Sequence, residues 1–384
     1  MIKRVILLVI DGCGIGALPD AVEYGDAEAN TLVHLADIVD GLSLPNFEML
    51  GLGHVAQIKG VRAMVQPSGC FGRLTCASPG KDSVVGYWEL SGVIQKEAPA
   101  VCRSGIPVNI VDIVEQILGR KSIGKDVSSL GTMLRCQSRE HMATGSPILW
   151  TDGGNTCCVA MHESLMAPVD FQQRCREIRK AVKDAGTFIR VVAQPVVGGQ
   201  DGLRPRGGRR DFLIEPPGVT VFDALSRAGQ ITMGVGKVYD LFSGRGMTKA
   251  ISVESGQEAM DEVVGMLNKV PRGLICASLD LLAEEAAQAA AAMEEFDRRL
   301  PDLFEKLRIG DMVMVVGDHG RDVSSANKTT REYVPVFVTG PKLAQGVDLG
   351  TRSTAADVGQ TIAEALGAER LLNGESFLDA LKTG

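Results

Sequence analysis

Residues 4–11 read RVILLVID and residues 312–319 read MVMVVGDH, two apolar runs that are each followed by an aspartate. Unbroken apolar runs of this length are typical of strands buried on both faces, so we predict strands at Val5–Ile10 and Met312–Val316. Similar runs lie at Phe188–Val192, Ile231–Val235, Leu274–Leu279 and Val334–Val338. Helical patterns separate most of them, at Phe171–Val182, Val221–Ala228, Ala259–Leu267 and Ala355–Leu366. This alternation predicts an α/β protein whose largely parallel sheet is flanked by helices.

The composition is that of a soluble globular protein. The 384 residues include 40 Lys and Arg against 47 Asp and Glu, and this net charge of −7 argues against nucleic-acid binding. No apolar stretch is long enough to span a membrane, so no membrane association is predicted. The nine cysteines show no Cys-x-x-Cys spacing, which favours reduced thiols and a cytoplasmic protein.

The middle of the chain indicates a second, smaller domain. Predicted strands at Trp150–Thr151 and Thr156–Met161 lie near a loop rich in Gly and Arg at Gly198–Arg210. Turn-forming segments mark the two ends of this region, at 97–99 and 215–218. We therefore predict an α+β domain over residues 97–218, inserted into a core formed by 1–96 and 219–384.

Acidic side chains follow three of the predicted strands. Asp11 follows Ile10, Asp280 follows Leu279, and the pair Asp318-His319 comes after Val316-Gly317. The carboxyl ends of parallel strands share one edge of the sheet, where ligands bind. Three carboxylates and an imidazole on that edge would suit Mn²⁺, Mg²⁺ or Zn²⁺. The alternative is that each aspartate only caps a helix that follows its strand.

A serine that opens an apolar helical segment is a candidate nucleophile. Ser83 follows Gly80-Lys81-Asp82 and precedes the helical pattern VVGYWEL. A hydroxyl at a helix N-terminus lies where phosphate is favoured, and a metal beside it would favour the reactive alkoxide. The alternative, which the local sequence leaves equally open, is a serine that caps the helix.

The ordered motifs of the whole chain resemble those of the prokaryotic phosphopentomutases, a family of the alkaline phosphatase superfamily. The motifs that carry the resemblance are Val9-Ile10-Asp11, Gly14-Ile15-Gly16, Asn30-Thr31-Leu32, Leu44-Pro45-Asn46, Gly80-Lys81-Asp82-Ser83, Trp88-Glu89, Val235-Gly236-Lys237, Asp318-His319-Gly320 and Thr330-Arg331-Glu332-Tyr333. The resemblance implies an alkaline-phosphatase-like core with an inserted cap domain. It also implies an isomerase of pentose phosphate and nucleotide metabolism that interconverts ribose or deoxyribose 1-phosphate and 5-phosphate.

The resemblance further implies a role for individual residues. Ser83 falls on the hydroxyl that becomes phosphorylated and passes phosphate through a bisphosphate. The ligands of one Mn²⁺ fall on Asp11, Asp318 and His319, and a ligand of a second Mn²⁺ falls on Asp280. Contacts to the sugar phosphate, the small-molecule partner, fall on Arg190 and Lys237.

The chain departs from the family at the second metal. Family members have one histidine five residues after the aspartate at Asp280 and another directly before the Thr-Arg-Glu-Tyr motif. Here the corresponding residues are Glu285 (or its neighbour Glu284) and Thr329. An oxygen donor at Glu285 could replace one imidazole, whereas Thr329 is a weak ligand unless it is ionised. The sequence therefore predicts one retained metal site and leaves the second in question.

Further departures surround the same chemistry. Tyr87 and Arg321 stand where the family has a histidine and an asparagine, and Arg321 could bind an anion with its guanidinium. A serine and an aspartate of the cap are replaced by Asp152 and Gly154. Three functions stay open at this point: a mutase with an altered second metal, a one-metal phosphatase or other hydrolase, and a non-catalytic relative that binds a phosphorylated ligand. The sequence gives no oligomeric state.

Overall fold

The computed structural model describes residues 1–98, 102–182, 190–283, 285–325 and 329–383. The chain divides into two compact units. The larger unit comprises residues 1–97, 216–239 and 244–384, and the inserted unit comprises 98–215 with 240–243. Each unit is described by itself below.

The elements alternate along the chain as the sequence predicts. The strands are β1 (Arg4–Ile10), β2 (Cys70–Leu74), β3 (Ile123–Val127), β4 (Ile148–Thr151), β5 (Thr156–His162), β6 (Arg190–Gly199), β7 (Gly202–Pro205), β8 (Arg210–Leu213), β9 (Thr232–Val235), β10 (Lys249–Ile251), β11 (Gly273–Leu279), β12 (Asp311–Gly317), β13 (Val334–Thr339) and β14 (Asp348–Arg352). The helices are α1 (Thr31–Ile38), α2 (Pro45–Leu50), α3 (Leu52–Val55), α4 (Ser83–Leu90), α5 (Val108–Leu118), α6 (Leu130–Thr144), α7 (Pro168–Ala181), α8 (Val221–Arg227), α9 (Val238–Leu241), α10 (Gly256–Met266), α11 (Ala286–Phe304) and α12 (Ala356–Ala365). Short 3-10 helices lie at Ala21–Tyr24 and Leu378–Leu381. Each predicted strand and helix has a counterpart here, although residues 188 and 189 of the predicted strand Phe188–Val192 lie outside the described residues.

A mixed sheet forms the centre of the larger unit. Among the described residues its strand order is β10-β9-β11-β1-β12-β13-β2-β14. All neighbouring pairs are parallel except those of β13, which runs antiparallel to both β12 and β2. The prediction of an α/β fold with a largely parallel sheet is confirmed.

The central strands are buried on both faces. Ile6, Leu8 and Ile10 of β1 belong to a core cluster that includes residues of α1, α2, α10 and α11. The alternate residues of the strand, Val5, Leu7 and Val9, point to the opposite face and are also buried. This double burial explains why the strand reads as an unbroken apolar run.

The described residues of the inserted unit form a separate sheet and two apolar clusters. The strand order is β3-β4-β5-β6-β7, with β8 also paired to β6. One cluster includes residues of α5 and α7, and the other includes Met133 and Leu134 of α6. None of the helices in the described part of the chain is long and apolar enough to cross a membrane.

Candidate metal and nucleophile centre

The three strand-end carboxylates lie on neighbouring strands of the larger unit. Ile10 of β1 pairs with Leu279 of β11 on one side and with Gly317 of β12 on the other. The next residues, Asp11, Asp280 and Asp318, therefore leave the sheet at the same level. Asp11 and Asp318 are both 4% exposed, whereas the side chain of Asp280 is 74% exposed. The expected cluster therefore has two buried members and one exposed member.

Backbone and side-chain donors hold one oxygen of each buried carboxylate. Asp318 Oδ1 accepts hydrogen bonds from the backbone N–H groups of Gly12 (2.8 Å) and His319 (2.9 Å). Asp11 Oδ1 accepts one from the Tyr87 hydroxyl at 2.9 Å. Of the second oxygens, Asp11 Oδ2 lies 2.9 Å from Lys237 Nζ, and Asp318 Oδ2 is buried without a hydrogen-bond partner among the described residues. Within that part of the chain none of the three strand-end acids is the N-cap of a helix, so the capping alternative is wrong.

The imidazole of His319 directs a lone pair toward Ser83. Its Nδ1 lies 2.8 Å from the Gly320 carbonyl oxygen, which can only accept a hydrogen bond. In the neutral ring the proton is therefore on Nδ1, and Nε2 keeps its lone pair. Nε2 lies 3.2 Å from Ser83 Oγ and 3.5 Å from Asp318 Oδ2. This nitrogen can either bind a metal ion or accept the proton of the hydroxyl.

Ser83 is the first residue of α4 and does not cap the helix. The cap is Asp82, whose side chain accepts hydrogen bonds from the N–H groups of Val84 (2.8 Å) and Val85 (3.1 Å). The serine hydroxyl is therefore not used to cap the helix and is available to the site. Gly86 brings the helix close to the end of β12, because a Cβ there would lie 2.2 Å from the Asp318 carbonyl oxygen.

Lys237 joins the nucleophile to the carboxylates. Its Nζ lies 3.1 Å from Ser83 Oγ and 2.9 Å from Asp11 Oδ2, and its side chain is 36% exposed. Burial disfavours the ammonium, but the charges of Asp11 and Asp318 outweigh that effect and raise the pKa of Lys237 above its usual value. The lysine is therefore a fixed cation beside the serine.

The carboxyl group of Asp11 is buried beside one cation, Lys237, and a second acid, Asp318. Burial raises the pKa of Asp11 from 3.8 to about 7; Lys237 opposes this rise, and the neighbouring charge of Asp318 adds to it. A divalent cation would stabilise the ionised form of such a group. A cation bound beside Asp11 is therefore expected to lower the pKa of its carboxyl group.

The donor set fits one divalent metal ion. As the side chains stand, no group of three or more His, Cys, Asp or Glu residues in the described ranges is arranged as a metal cluster, and the Lys237 ammonium lies beside the donors. The Oδ2 atoms of Asp11 and Asp318, Nε2 of His319 and Oγ of Ser83 nevertheless form a set of oxygen and imidazole donors of the kind that Mn²⁺, Mg²⁺ and Zn²⁺ accept.

The residues of the second metal site do not come together in the same way. Asp280 Oδ1 lies 3.5 Å from Arg321 Nη1. Glu285, at the N-terminus of α11, is exposed and accepts a hydrogen bond from Gln288 Nε2 at 2.9 Å. Glu284 lies outside the described residues, and a neutral threonine at Thr329 is a weak ligand. The donors among the described residues do not fit a second divalent ion.

Arg190 lies in the inserted unit, on β6. Its Nε and Nη2 donate to Thr156 Oγ1 at 3.1 and 2.9 Å, and its Nη1 lies 3.4 Å from Asp211 Oδ2. Asp152 Oδ2 is 3.9 Å from Arg190 Nη2, and Asp152 Oδ1 accepts a hydrogen bond from the Gly154 N–H. The extra carboxylate noted in the sequence thus faces the arginine.

Tyr87 is a residue of the site that the sequence did not assign. Its hydroxyl fixes Asp11 Oδ1, and its ring lies 5.9 Å from Lys237 Nζ. The substitution Tyr87→Phe is expected to weaken Mn²⁺ affinity about tenfold, because a group that orients a ligand carries this much of the affinity. Calorimetric titration would measure the change. The control is Tyr24→Phe, whose ring packs on Arg331; an unchanged affinity in Tyr87→Phe would refute the positioning role.

Comparisons with known proteins find relatives that match nearly the whole chain. A family model described as the Metalloenzyme superfamily matches residues 221–370. The chain is 36% identical to a phosphopentomutase of Desulfitobacterium hafniense over 386 residues, which covers 99% of this chain and 100% of that protein. It is 36% identical to the phosphopentomutase of Carboxydothermus hydrogenoformans over 98% of each chain, and 34% identical to that of Alkaliphilus metalliredigens over 98% of each.

Solved structures give a more distant likeness. The PH0037 protein of Pyrococcus horikoshii matches with a TM-score of 0.49 at 12% identity, over 97% of this chain and 100% of that chain. A phosphoglycerate mutase of Leishmania mexicana matches with a TM-score of 0.47 at 12% identity, over 98% of this chain and 97% of that one.

Proposed function

This chain belongs to the phosphopentomutase family, and on that premise we propose that it interconverts ribose or deoxyribose 1-phosphate and 5-phosphate through a phosphoserine at residue 83. The observation that carries the proposal is the environment of the Ser83 hydroxyl. Its Oγ lies within hydrogen-bond distance of one possible metal ligand, His319 Nε2, and one fixed cation, Lys237 Nζ.

The residues around Ser83 supply the groups that a transferred phosphoryl needs. As the serine oxygen forms its bond to phosphorus, the bond between phosphorus and the sugar oxygen of a pentose bisphosphate breaks, and the hydroxyl proton ends on the sugar oxygen that leaves. Lys237 and the N-terminus of α4 stabilise negative charge on the phosphoryl oxygens. Phosphoserine then gives its phosphoryl group to the free hydroxyl of a pentose monophosphate, and the other phosphate of the resulting bisphosphate returns to the serine. No net phosphate is gained or lost.

We propose Mn²⁺ as the cofactor, held by Asp11, Asp318 and His319 with Ser83 beside it. When bound, the cation would favour the serine alkoxide and offset charge on the phosphoryl oxygens. The buried Oδ2 atom of Asp318, which lacks a hydrogen-bond partner among the described residues, supports this assignment.

The proposal also covers the contacts to the sugar phosphate and the cellular location of the protein. Arg190 of the inserted unit would contact the sugar phosphate, with residues 97–218 acting as the cap domain. The nine free cysteines support a cytoplasmic, reducing environment.

The test is a mutase assay on the purified chain. With Mn²⁺ and a catalytic amount of pentose bisphosphate, ribose 1-phosphate is expected to yield ribose 5-phosphate, measured by phosphorus NMR. Release of inorganic phosphate in place of ribose 5-phosphate would indicate the hydrolase. No turnover, together with no phosphate on Ser83, would indicate a ligand-binding relative.

A further inference from the structure

We propose that the guanidinium of Arg321 acts as a built-in cation of the active centre, where it binds oxygens of the transferred phosphoryl group and replaces a second divalent ion. The inference rests on the proposed function, because it concerns the same site. The positive charge that a second divalent ion would supply then comes from an arginine of the chain itself.

The side chain of Arg321 lies across the backbone beside Asp11. A Cβ built on Gly12, the next residue, would lie 2.6 Å from Arg321 Cβ and 3.4 Å from its Cδ. Gly12 also has a φ of +79°, a conformation that disfavours any side chain there. Glycine at this position therefore gives the arginine room to reach the edge of the sheet where the carboxylates lie.

Contacts at both ends fix the arginine in this position. Its backbone N–H donates to Thr31 Oγ1 at 2.8 Å, and its Nη1 donates to the Leu282 carbonyl oxygen at 2.6 Å. Leu282 lies in the segment that follows β11, so the guanidinium is directed toward the end of that strand. A cation held at two points loses little further entropy when it binds an anion.

The position of Asp280 relates the guanidinium to the other acidic residues of the centre. The carboxylate lies 3.5 Å from Arg321 Nη1 and follows β11, the strand beside β1. Leu279 pairs with Ile10, so Asp280 and Asp11 leave neighbouring strands at the same level. The guanidinium that pairs with Asp280 therefore lies at the edge of the sheet that carries Asp11.

The guanidinium can still meet a phosphoryl group. The side chain is 31% exposed, and the two contacts of its head group to other described residues both use Nη1. The planar fork of an arginine matches two oxygens of a phosphate, which a single ammonium cannot do. Lys237 at Ser83 and Arg321 at Asp280 thus provide two fixed cations in a centre whose donors suit one metal.

Two kinds of measurement test this assignment on the full chain. Elemental analysis after saturation with Mn²⁺ and dialysis is expected to give one ion per chain in both the wild type and Arg321→Gln. Calorimetric titration with inorganic phosphate is expected to show affinity weakened about tenfold or more in Arg321→Gln, because a hydrogen bond to a charged group is lost. Mutase kcat is expected to fall about 100-fold, the usual cost of one donor to the transition state.

Matched variants separate binding from a structural effect. Arg321→Lys keeps the charge but not the fork and is expected to recover part of the phosphate affinity. Arg227→Gln removes a surface arginine paired with Glu369 and is expected to leave both measurements unchanged.

Each outcome bears on a different claim. Two Mn²⁺ ions per wild-type chain, or wild-type phosphate affinity in Arg321→Gln, would overturn the role of Arg321 while leaving the mutase proposal intact. A wild-type chain without mutase activity, whose phosphate affinity still falls in Arg321→Gln, would overturn the proposed function but support Arg321 as the anion-binding cation.

Discussion

Replacing Ser83 with alanine is expected to abolish the phosphoenzyme and to lower mutase turnover by about four to six orders of magnitude, the cost of removing a covalent nucleophile. The alanine keeps the helix start, because Asp82 and not Ser83 caps α4. Only the oxygen that lies between His319 Nε2 and Lys237 Nζ is lost. Incubation with radiolabelled pentose bisphosphate followed by peptide mass spectrometry would measure the phosphoserine directly.

Two further serine variants make this result specific. Ser83→Thr retains a hydroxyl at the same place and is expected to retain labelling. Ser91→Ala removes a hydroxyl at the other end of the helix, where it donates to the Trp88 carbonyl oxygen, and is expected to retain it too. Label that persists in Ser83→Ala would show that another group carries the phosphate.

The core of the fold could be predicted because its strands are buried on both faces. The predicted strand Leu274–Leu279 differs from β11 by a single residue, and Val5–Ile10 differs from β1 likewise. Strands β2 and β14 were not predicted, because CFGRL and DLGTR are short and carry glycine and arginine within them. Strand β6 continues past the predicted end at Val192, since Gln194 and Pro195 interrupt its apolar run without ending the strand.

The candidate site could be predicted only in part. Strand-end acids share an edge in any parallel sheet, so the proximity of Asp11 and Asp318 follows from the sequence pattern. The positions of Tyr87 and Lys237 depend on how α4 and the turn after β9 meet that edge, which no local pattern encodes. Asp280 has the same sequence signal as the other acids, yet its side chain is exposed and faces Arg321. The assigned roles of all these residues remain predictions.

The other large effect is expected for the metal. Asp11→Asn is expected to weaken Mn²⁺ binding more than about 100-fold. This loss is larger than the loss expected when a residue that only orients a metal ligand is removed. The same change at the third strand end, Asp280→Asn, is expected to leave one ion per chain, because Asp280 pairs with Arg321. Elemental analysis and calorimetric titration of the two variants provide the comparison. Loss of the ion in Asp280→Asn would make that residue a ligand and refute a metal site held by Asp11, Asp318 and His319 alone.

The hydrogen bonds to Asp318 predict that an asparagine at this position disfavours Mn²⁺ binding. In Asp318→Asn the two N–H groups that now donate to Oδ1 would hold the amide oxygen in its place. The amide nitrogen would then occupy the position of Oδ2 and direct its hydrogens toward His319 and the cation. Asp318→Ala removes the ligand but leaves space for water, so we expect Mn²⁺ affinity in Asp318→Asn to be no higher than in Asp318→Ala. Clearly tighter binding in Asp318→Asn would mean that Oδ2 does not contact the ion.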